Sequence, residues 1–338
     1  MPNTLLIDLG QNARLSVSGQ RPPDYLAGLF SHWARPAQAP AADLYLALDL
    51  AARKTAGAFT LMPDDSLQVR GDYKLVPWQA ELRPNAASLD IGFCAPLYQE
   101  WLAARMIVFP FLQRALLQQE HFLLPASVVC WGEQLLALIG LGGAGKTSLL
   151  LACCAAGAQF VGDDFVLASR DGTLQGLGDA LSIKVAAFAD NAPMRARLTI
   201  RQRGWLQICA LLERLSQRRV VLSLHVPARQ LFGSGPIPRP SPSAAQVVLL
   251  EPAEVTAPHK IRIHPEALSR VILLQLKYWE ACFGDLIALG RSLRGQSVDY
   301  WETYRAQLDD FMRRSQCWRL QVGRQRGWAH QALALLAG

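Results

Sequence analysis

Charge is scarce in this chain. Asp, Glu, Lys and Arg make up only 18% of its 338 residues, against 51% hydrophobic residues. Disordered chains carry the opposite balance, so extensive disorder is excluded and a sizeable core is expected. Long uninterrupted apolar runs are missing too. Gly, Pro or a charge breaks every apolar stretch, which argues against a membrane span. The opening residues, MPNTLLIDLGQNARL, lack a basic start and a long apolar run, so they do not read as a secretory signal. The seven cysteines are odd in number, scattered, and contain no Cys-x-x-Cys pair. That disfavours a disulfide framework and a structural zinc site. The expectation is reduced, mostly buried thiols in a cytoplasmic protein. Internal repeats are absent. His225, His259 and His264 lack ligand spacing and are expected in core or surface roles.

The formal net charge of +7 is unevenly spread. Residues 1–194 hold 13 Lys and Arg against 17 Asp and Glu, whereas residues 195–338 hold 21 against 10. A basic second half suits an acidic partner protein, an acidic peptide or nucleic acid. Trp279, Trp301, Trp318 and Trp328 fall in that half, but no nucleic-acid motif accompanies them. Core packing explains them more simply, and nucleic acid is disfavoured as a partner. Arg195, Arg197, Arg201 and Arg203 form one basic cluster and Arg218, Arg219 and Arg229 another. The first suits a solvated face or a leader peptide, and the second a solvated turn or a contact with phosphates or an acceptor.

The first 120 residues carry short alternating segments, DLYLALDLA, SLQVRGDYKLV and AASLDIGF, which predict small strands in a β-rich N-terminal portion. RGD at 70–72 reads as a turn. Residues 98–120 predict a helix interrupted at Pro110. A second domain, residues 121–338, opens with a predicted hairpin turning at Gly132–Glu133. Its last part, from Pro265, has helical periodicity. QFVGDDFVLAS and LSIKVAAF each read as one strand, AQVVLLE as a core strand, and 233–243 as a Pro-rich loop.

One stretch carries chemistry. Residues 140–147, GLGGAGKT, fit the pattern Gly-x-x-x-x-Gly-Lys-Thr, with an apolar strand before it and a helix from Lys146 to about Ala156 after it. In such a loop, Gly140, Gly142, Gly143, Ala144 and Gly145 turn backbone N–H groups inward around a phosphate. The helix start at Lys146, Thr147 and Ser148 points its positive end at the same group. Lys146 supplies a mobile positive charge and Thr147 a hydroxyl for Mg²⁺. Gly157 is placed to end the helix. Asp163 and Asp164 follow Lys146 by only 17 and 18 residues, enough for a helix, a turn and a strand to return beside the loop. One carboxylate would then hold Mg²⁺ with Thr147, and the other would accept the proton of an attacking hydroxyl.

IGLGGAGKTSLLLACCAAGAQFVGDD, with the upstream LLPASVVCWGEQLLALIG, resembles the bacterial HPr kinase/phosphorylase family and its wider set of HPr-kinase-related proteins. Those show the same order of strand, P-loop, helix, Gly turn and apolar strand closing on two aspartates. The match is close over about 40 residues and looser to about residue 225. It implies an α/β fold whose P-loop core has a mixed sheet of the HPr kinase and phosphoenolpyruvate carboxykinase type. It further implies Mg²⁺–ATP-dependent phosphorylation of a Ser or Thr hydroxyl on a peptide or small protein. Lys146, Asp163 and Asp164 would be catalytic, and an oligomer is suggested.

Three positions depart from the family. Pro125 stands where a His is common, and Gly142 where the loop has a Ser. LSIKVAAF offers Lys184 where a carboxylate belongs. These argue against phosphorylase activity and against HPr as the acceptor, which would instead be a peptide or protein, for example one encoded by a neighbouring gene. They also motivate an alternative of another class, a nucleotide-binding module that uses ATP or GTP as a structural ligand or switch to bind a partner protein.

Overall fold

The computed structural model describes residues 3–8, 13–19, 24–31, 34–35, 44–49, 59–61, 66–73, 76–84, 88–95, 99–188, 191–217, 222–235, 245–283, 286–287, 300–323 and 327–337. Arg218, Arg219 and most of the Pro-rich loop lie outside these. The fold is mixed α/β. Its contacts divide the chain into two compact units, residues 1–119 with 277–303, and residues 120–276 with 304–338. The expectation from the sequence set one boundary, at 120/121; the contact division also groups 277–303 with the first unit. No described helix is long and apolar enough to cross a membrane.

The first unit is built on an eight-stranded mixed sheet. Its elements are β1 (Asn3–Asp8), β2 (Ala13–Gly19), α1 (Asp24–Leu29), β3 (Ala34–Arg35), β4 (Leu44–Asp49), β5 (Phe59–Leu61), β6 (Leu67–Tyr73), β7 (Val76–Pro84), β8 (Ser88–Cys94), α2 (Gln99–Ala103) and α3 (Phe109–Leu117). The sheet order is β3-β1-β2-β4-β8-β7-β6-β5, with β4 parallel to both neighbours. RGD is not a turn. Residues 70–72 lie inside β6, paired to Gln79, Trp78 and Pro77 of β7, and Gly71 makes room for the Trp78 ring. Nor does Pro110 interrupt the helix. A π-helical turn, Ala104–Val108, joins α2 to α3, and Phe109 N–H reaches back to Ala104 O. Pro110 then sits at the start of α3, where its missing N–H is harmless.

The second unit holds the hairpin, the glycine-rich loop and a six-stranded mixed sheet. It runs β9 (His121–Leu124), β10 (Ser127–Trp131), β11 (Gln134–Ile139), α4 (Lys146–Ala155), β12 (Gln159–Gly162), β13 (Val166–Ser169), β14 (Leu174–Gly176), β15 (Ala180–Ile183), α5 (Ala192–Ala196), α6 (Ile200–Leu215), β16 (Leu224–Pro227), α7 (Ala228–Phe232), β17 (Gln246–Pro252), β18 (His259–Arg262), the first part of α8 (Pro265–Phe283), most of the helix Trp301–Arg314, β19 (Gln316–Val322) and the helix Trp328–Ala337. The main sheet has the order β12-β10-β11-β17-β19-β18. β11, β17 and β19 run parallel at its centre, with antiparallel strands at both edges.

Neighbours in register explain why the central strands read as continuous apolar runs. Leu138 pairs with Val248, and Leu250 with Leu320, on one face. Ala137, Ile139, Val247 and Leu249 point to the other face and are buried as well. Both faces of a central sheet are covered, so there is no polar alternation to see. Leu149, Leu150 and Cys153 of α4, with Ala329 and Ala332 of the last helix, pack against the first face.

Local chemistry shaped the connections. Gly132 takes φ +61° in a two-residue turn that brings Trp131 opposite Gln134. Gly157 (φ +103°) ends α4, with its N–H on Cys154 O and that of Ala158 on Cys153 O. Two expected strands are broken. QFVGDDFVLAS becomes β12 and β13, which belong to different sheets, because the chain turns sharply at Asp163–Phe165. LSIKVAAF is a strand only to Ile183 and then a 3₁₀ turn, Val185–Phe188. Cys94, Cys130, Cys153, Cys154, Cys209 and Cys317 are free thiols, and burial pushes Cys153 up to about 12, far from a reactive thiolate.

Candidate functional site

The glycine-rich loop leaves the C-terminal end of β11 and enters α4. β11 pairs antiparallel with β10 on one side and parallel with β17 on the other. In open α/β sheets, ligand crevices form at such points, outside the strand ends. Two glycines are demanded by close packing. A Cβ on Gly140 would lie 2.8 Å from Leu250 O. One on Gly145 would lie 2.5 Å from the Trp328 ring, at a φ of +98° that side chains rarely adopt. Gly142 and Gly143 meet nothing within 4 Å and are exposed, while Ala144 is buried. The loop is thus tight at its ends and open in its middle.

Gly145 is the N-cap of α4, and no side chain caps the helix. The first turn of α4 thus begins without a side-chain cap on its N–H groups. Lys146 Nζ donates to Gly140 O at 2.6 Å and approaches Leu141 O at 3.3 Å, so its charge stays inside the loop. Ser148 O accepts from Asn191 Nδ2 at 3.3 Å, which ties the start of α4 to the segment before α5.

Asp163 comes to the same place from β12. Its carboxylate accepts from Ser127 Oγ at 2.5 Å, and Thr147 Oγ1 lies 3.5 Å from its other oxygen. The chain then turns back on itself. Phe165 N–H bonds to Asp163 O at 2.8 Å across Asp164, whose φ is +67°. This three-residue turn is uncommon and strained for a residue with a side chain. It separates the two aspartates. Asp163 is buried against the loop, and Asp164 is half-buried. Burial, together with the neighbouring Asp164 charge, pushes the Asp163 carboxyl up to about 6, against the pull of Ser127, a backbone N–H and Lys146.

Lys146, Thr147 and Asp163 therefore converge, as the sequence spacing predicts. Three further residues at the site had no signal in the sequence. Ser127 opens β10 and holds Asp163. Trp328 covers Gly145. Gln275, 2% exposed on α8, donates from Nε2 to Gly140 O at 3.1 Å and so shares that carbonyl with Lys146. Each lies far along the chain or looks like ordinary core composition, so only the fold reveals it.

Other candidates sit elsewhere. Arg229 pairs with Asp179 at 3.2 Å. Lys184 is exposed after β15. His225 lies on β16, His259 on β18 and His264 just before α8. Pro125 is buried between β9 and β10 and brings no titratable group. Trp301 stacks on Tyr300 at 4.6 Å and Trp318 carries Lys260 over its ring at 4.6 Å, so both are used internally. Among the described residues, no group of three or more His, Cys, Asp or Glu gathers as a metal cage. Compared with models of known protein families the chain matches none, and no curated protein matches it.

Proposed function

We propose that the chain is a Mg²⁺–ATP-dependent kinase of the HPr-kinase-related kind, with a P-loop α/β core, that phosphorylates a Ser or Thr hydroxyl on a peptide or small protein. One observation carries this reading. The loop cation Lys146, the hydroxyl of Thr147 and the buried carboxylate of Asp163 are brought together at an uncapped helix start.

The donor set fits the groups required. Backbone N–H groups at Gly143 and at Gly145 to Ser148, with the Lys146 ammonium, would hold the β- and γ-phosphates, while Ala144 N–H already bonds to Leu141 O. Thr147 Oγ1 and Asp163 are hard oxygen donors of the kind Mg²⁺ takes, alongside phosphate and water. Bound there, Mg²⁺ would neutralise charge on the transferred group. Ser127 fixes the Asp163 carboxylate, so that its second oxygen faces Thr147. Asp164, turned out of line by the strained turn, would orient or deprotonate the acceptor hydroxyl. Gln275 and Lys146 together hold Gly140 O and so set the loop's entry.

A second reading keeps nucleotide binding without transfer, as a structural ligand or switch. Buried Pro125 and exposed Gly142, where the resembled family has a His and a Ser, favour it. The experiment is incubation with labelled ATP, Mg²⁺ and candidate peptides. Transfer that vanishes in Asp164→Asn supports the kinase. Tight ATP binding with no transfer to any peptide supports the second reading, and absence of ATP binding sinks both.

A further inference from the structure

The helix α6 faces solvent with the wrong surface for a finished monomer. It is a well-made helix. Thr199 Oγ1 accepts from Gln202 N–H while Gln202 Oε1 accepts from Thr199 N–H, a reciprocal cap. Gln202 also bonds Gln230 of α7, which holds the helix in place. Yet only Leu206 and Cys209 are buried. Ile200 is 82% exposed, Leu211 56% and Leu215 73%, and Trp205, Ile208 and Leu212 are exposed as well. At 100° per residue these six fall on one continuous strip, roughly 140° wide, turned away from Leu206 and Cys209. Apolar strips of this kind on soluble proteins mark interaction sites.

The charges around the strip say what covers it. Arg201 lies within it, Arg203 and Arg214 run along one flank, and Arg195 stands just before the helix; all four are exposed. None of the four side chains is held by an ion pair or hydrogen bond among the described residues. Glu213 is the single acidic side chain on α6, and it is half-buried. A second copy of α6 laid on this face would set arginine rows against each other. A helix with an apolar face and carboxylates along its edges would bury the strip and pair the arginines.

We propose that α6 is the docking face for an acidic amphipathic helix of a partner protein. This does not rest on phosphoryl transfer, because α6 contributes no residue to the loop or to Asp163.

The test uses fluorescence anisotropy with three labelled peptides of α6's length. All carry the same leucine-rich face, with flanks of Glu, Gln or Lys. The Glu peptide binds at least about tenfold more tightly than the Lys peptide, and rising salt narrows the gap. Arg203→Glu with Arg214→Glu abolishes or reverses that order. Ile208→Asp removes binding of all three, with the circular dichroism and melting temperature of the parent. Lys146→Ala leaves peptide binding intact, which separates this proposal from the kinase reading. Equal affinities, a preference for Lys, or no binding by any peptide overturns it. So does a concentration-dependent dimer, seen by light scattering and dissolved by Ile208→Asp, because the strip would then belong to a second copy.

Discussion

The loop end of the main sheet and the exposed strip of α6 belong to the same unit and are built on opposite terms. At the loop, polar groups are buried or half-buried and partnered within the chain, except for Gln275 Oε1. Asp163 meets Ser127 and Thr147, Lys146 meets two carbonyls, and Gln275 meets Gly140. On α6, apolar groups are exposed and arginines stand apart. The first arrangement holds charge at a cost in stability. The second costs little in the free protein, because nothing was desolvated to make it. Mutations should therefore separate the regions cleanly. At the loop they trade stability against chemistry, and on the exposed strip of α6 they leave both alone.

The largest effect expected is on phosphate binding. Lys146→Ala should weaken ATP binding at least about a hundredfold and transfer by a further tenfold or more, by titration calorimetry and a phosphotransfer assay. Asp163→Asn sharpens the comparison, because it should move activity and stability in opposite directions. The Asp163 carboxyl is raised to about 6, whereas an ordinary carboxyl titrates near 3.8. Between those values the folded state binds the extra proton, so the free protein loses stability as pH rises from about 4 to 6. Asn keeps an acceptor for Ser127 and carries no charge. It should stabilise the protein at neutral pH by about 2–3 kcal/mol and flatten that pH dependence, while transfer falls about a thousandfold. Denaturant melts at pH 4, 5, 6 and 7.5 check the first part.

Gly145→Ala should cost about 2–4 kcal/mol, from a disfavoured φ and a collision with the Trp328 ring. Pairing it with Trp328→Ala should recover only the collision. Leu206→Ala on the buried side of α6 should cost about 2–4 kcal/mol, whereas Leu215→Ala on the exposed side should stay within about 0.5. Thermal melts of the pair break the comparison if both are equally damaging. Gln275→Leu should be the mildest at the loop. It loses one buried hydrogen bond but also buries no unpartnered oxygen, so stability should move by about 1 kcal/mol or less. The expected readout is instead a KM for ATP raised about threefold to tenfold with kcat nearly unchanged.

Much of this was legible in advance, and the reasons are local. Gly132, Gly157 and the Gly-x-x-x-x-Gly-Lys-Thr stretch mark backbone conformations and spacings that neighbours in sequence impose. Asp163 could be placed beside Thr147 because one helix and one strand have known lengths. The misses share a cause as well. RGD carries turn composition, yet it pairs in β6 because Gly71 gives the Trp78 ring its space. QFVGDDFVLAS has an unbroken strand pattern, yet it divides at Asp164, where two separate sheets draw on its halves. Pro110 should have interrupted a helix, but it follows a π turn at the start of α3, where its missing N–H is harmless.

What sequence alone determined here is the punctuation: where helices start and stop, where strands alternate, and which short stretch carries the Gly-x-x-x-x-Gly-Lys-Thr spacing between a strand and a helix. Those follow from interactions within a few residues. The tertiary structure decided the rest, namely that Ser127 holds Asp163, that Gln275 and Trp328 brace a loop more than a hundred residues away, and that one face of α6 is left uncovered. Such pairings depend on which surfaces the packed elements bring within a few ångströms, and no spacing along the chain encodes that distance.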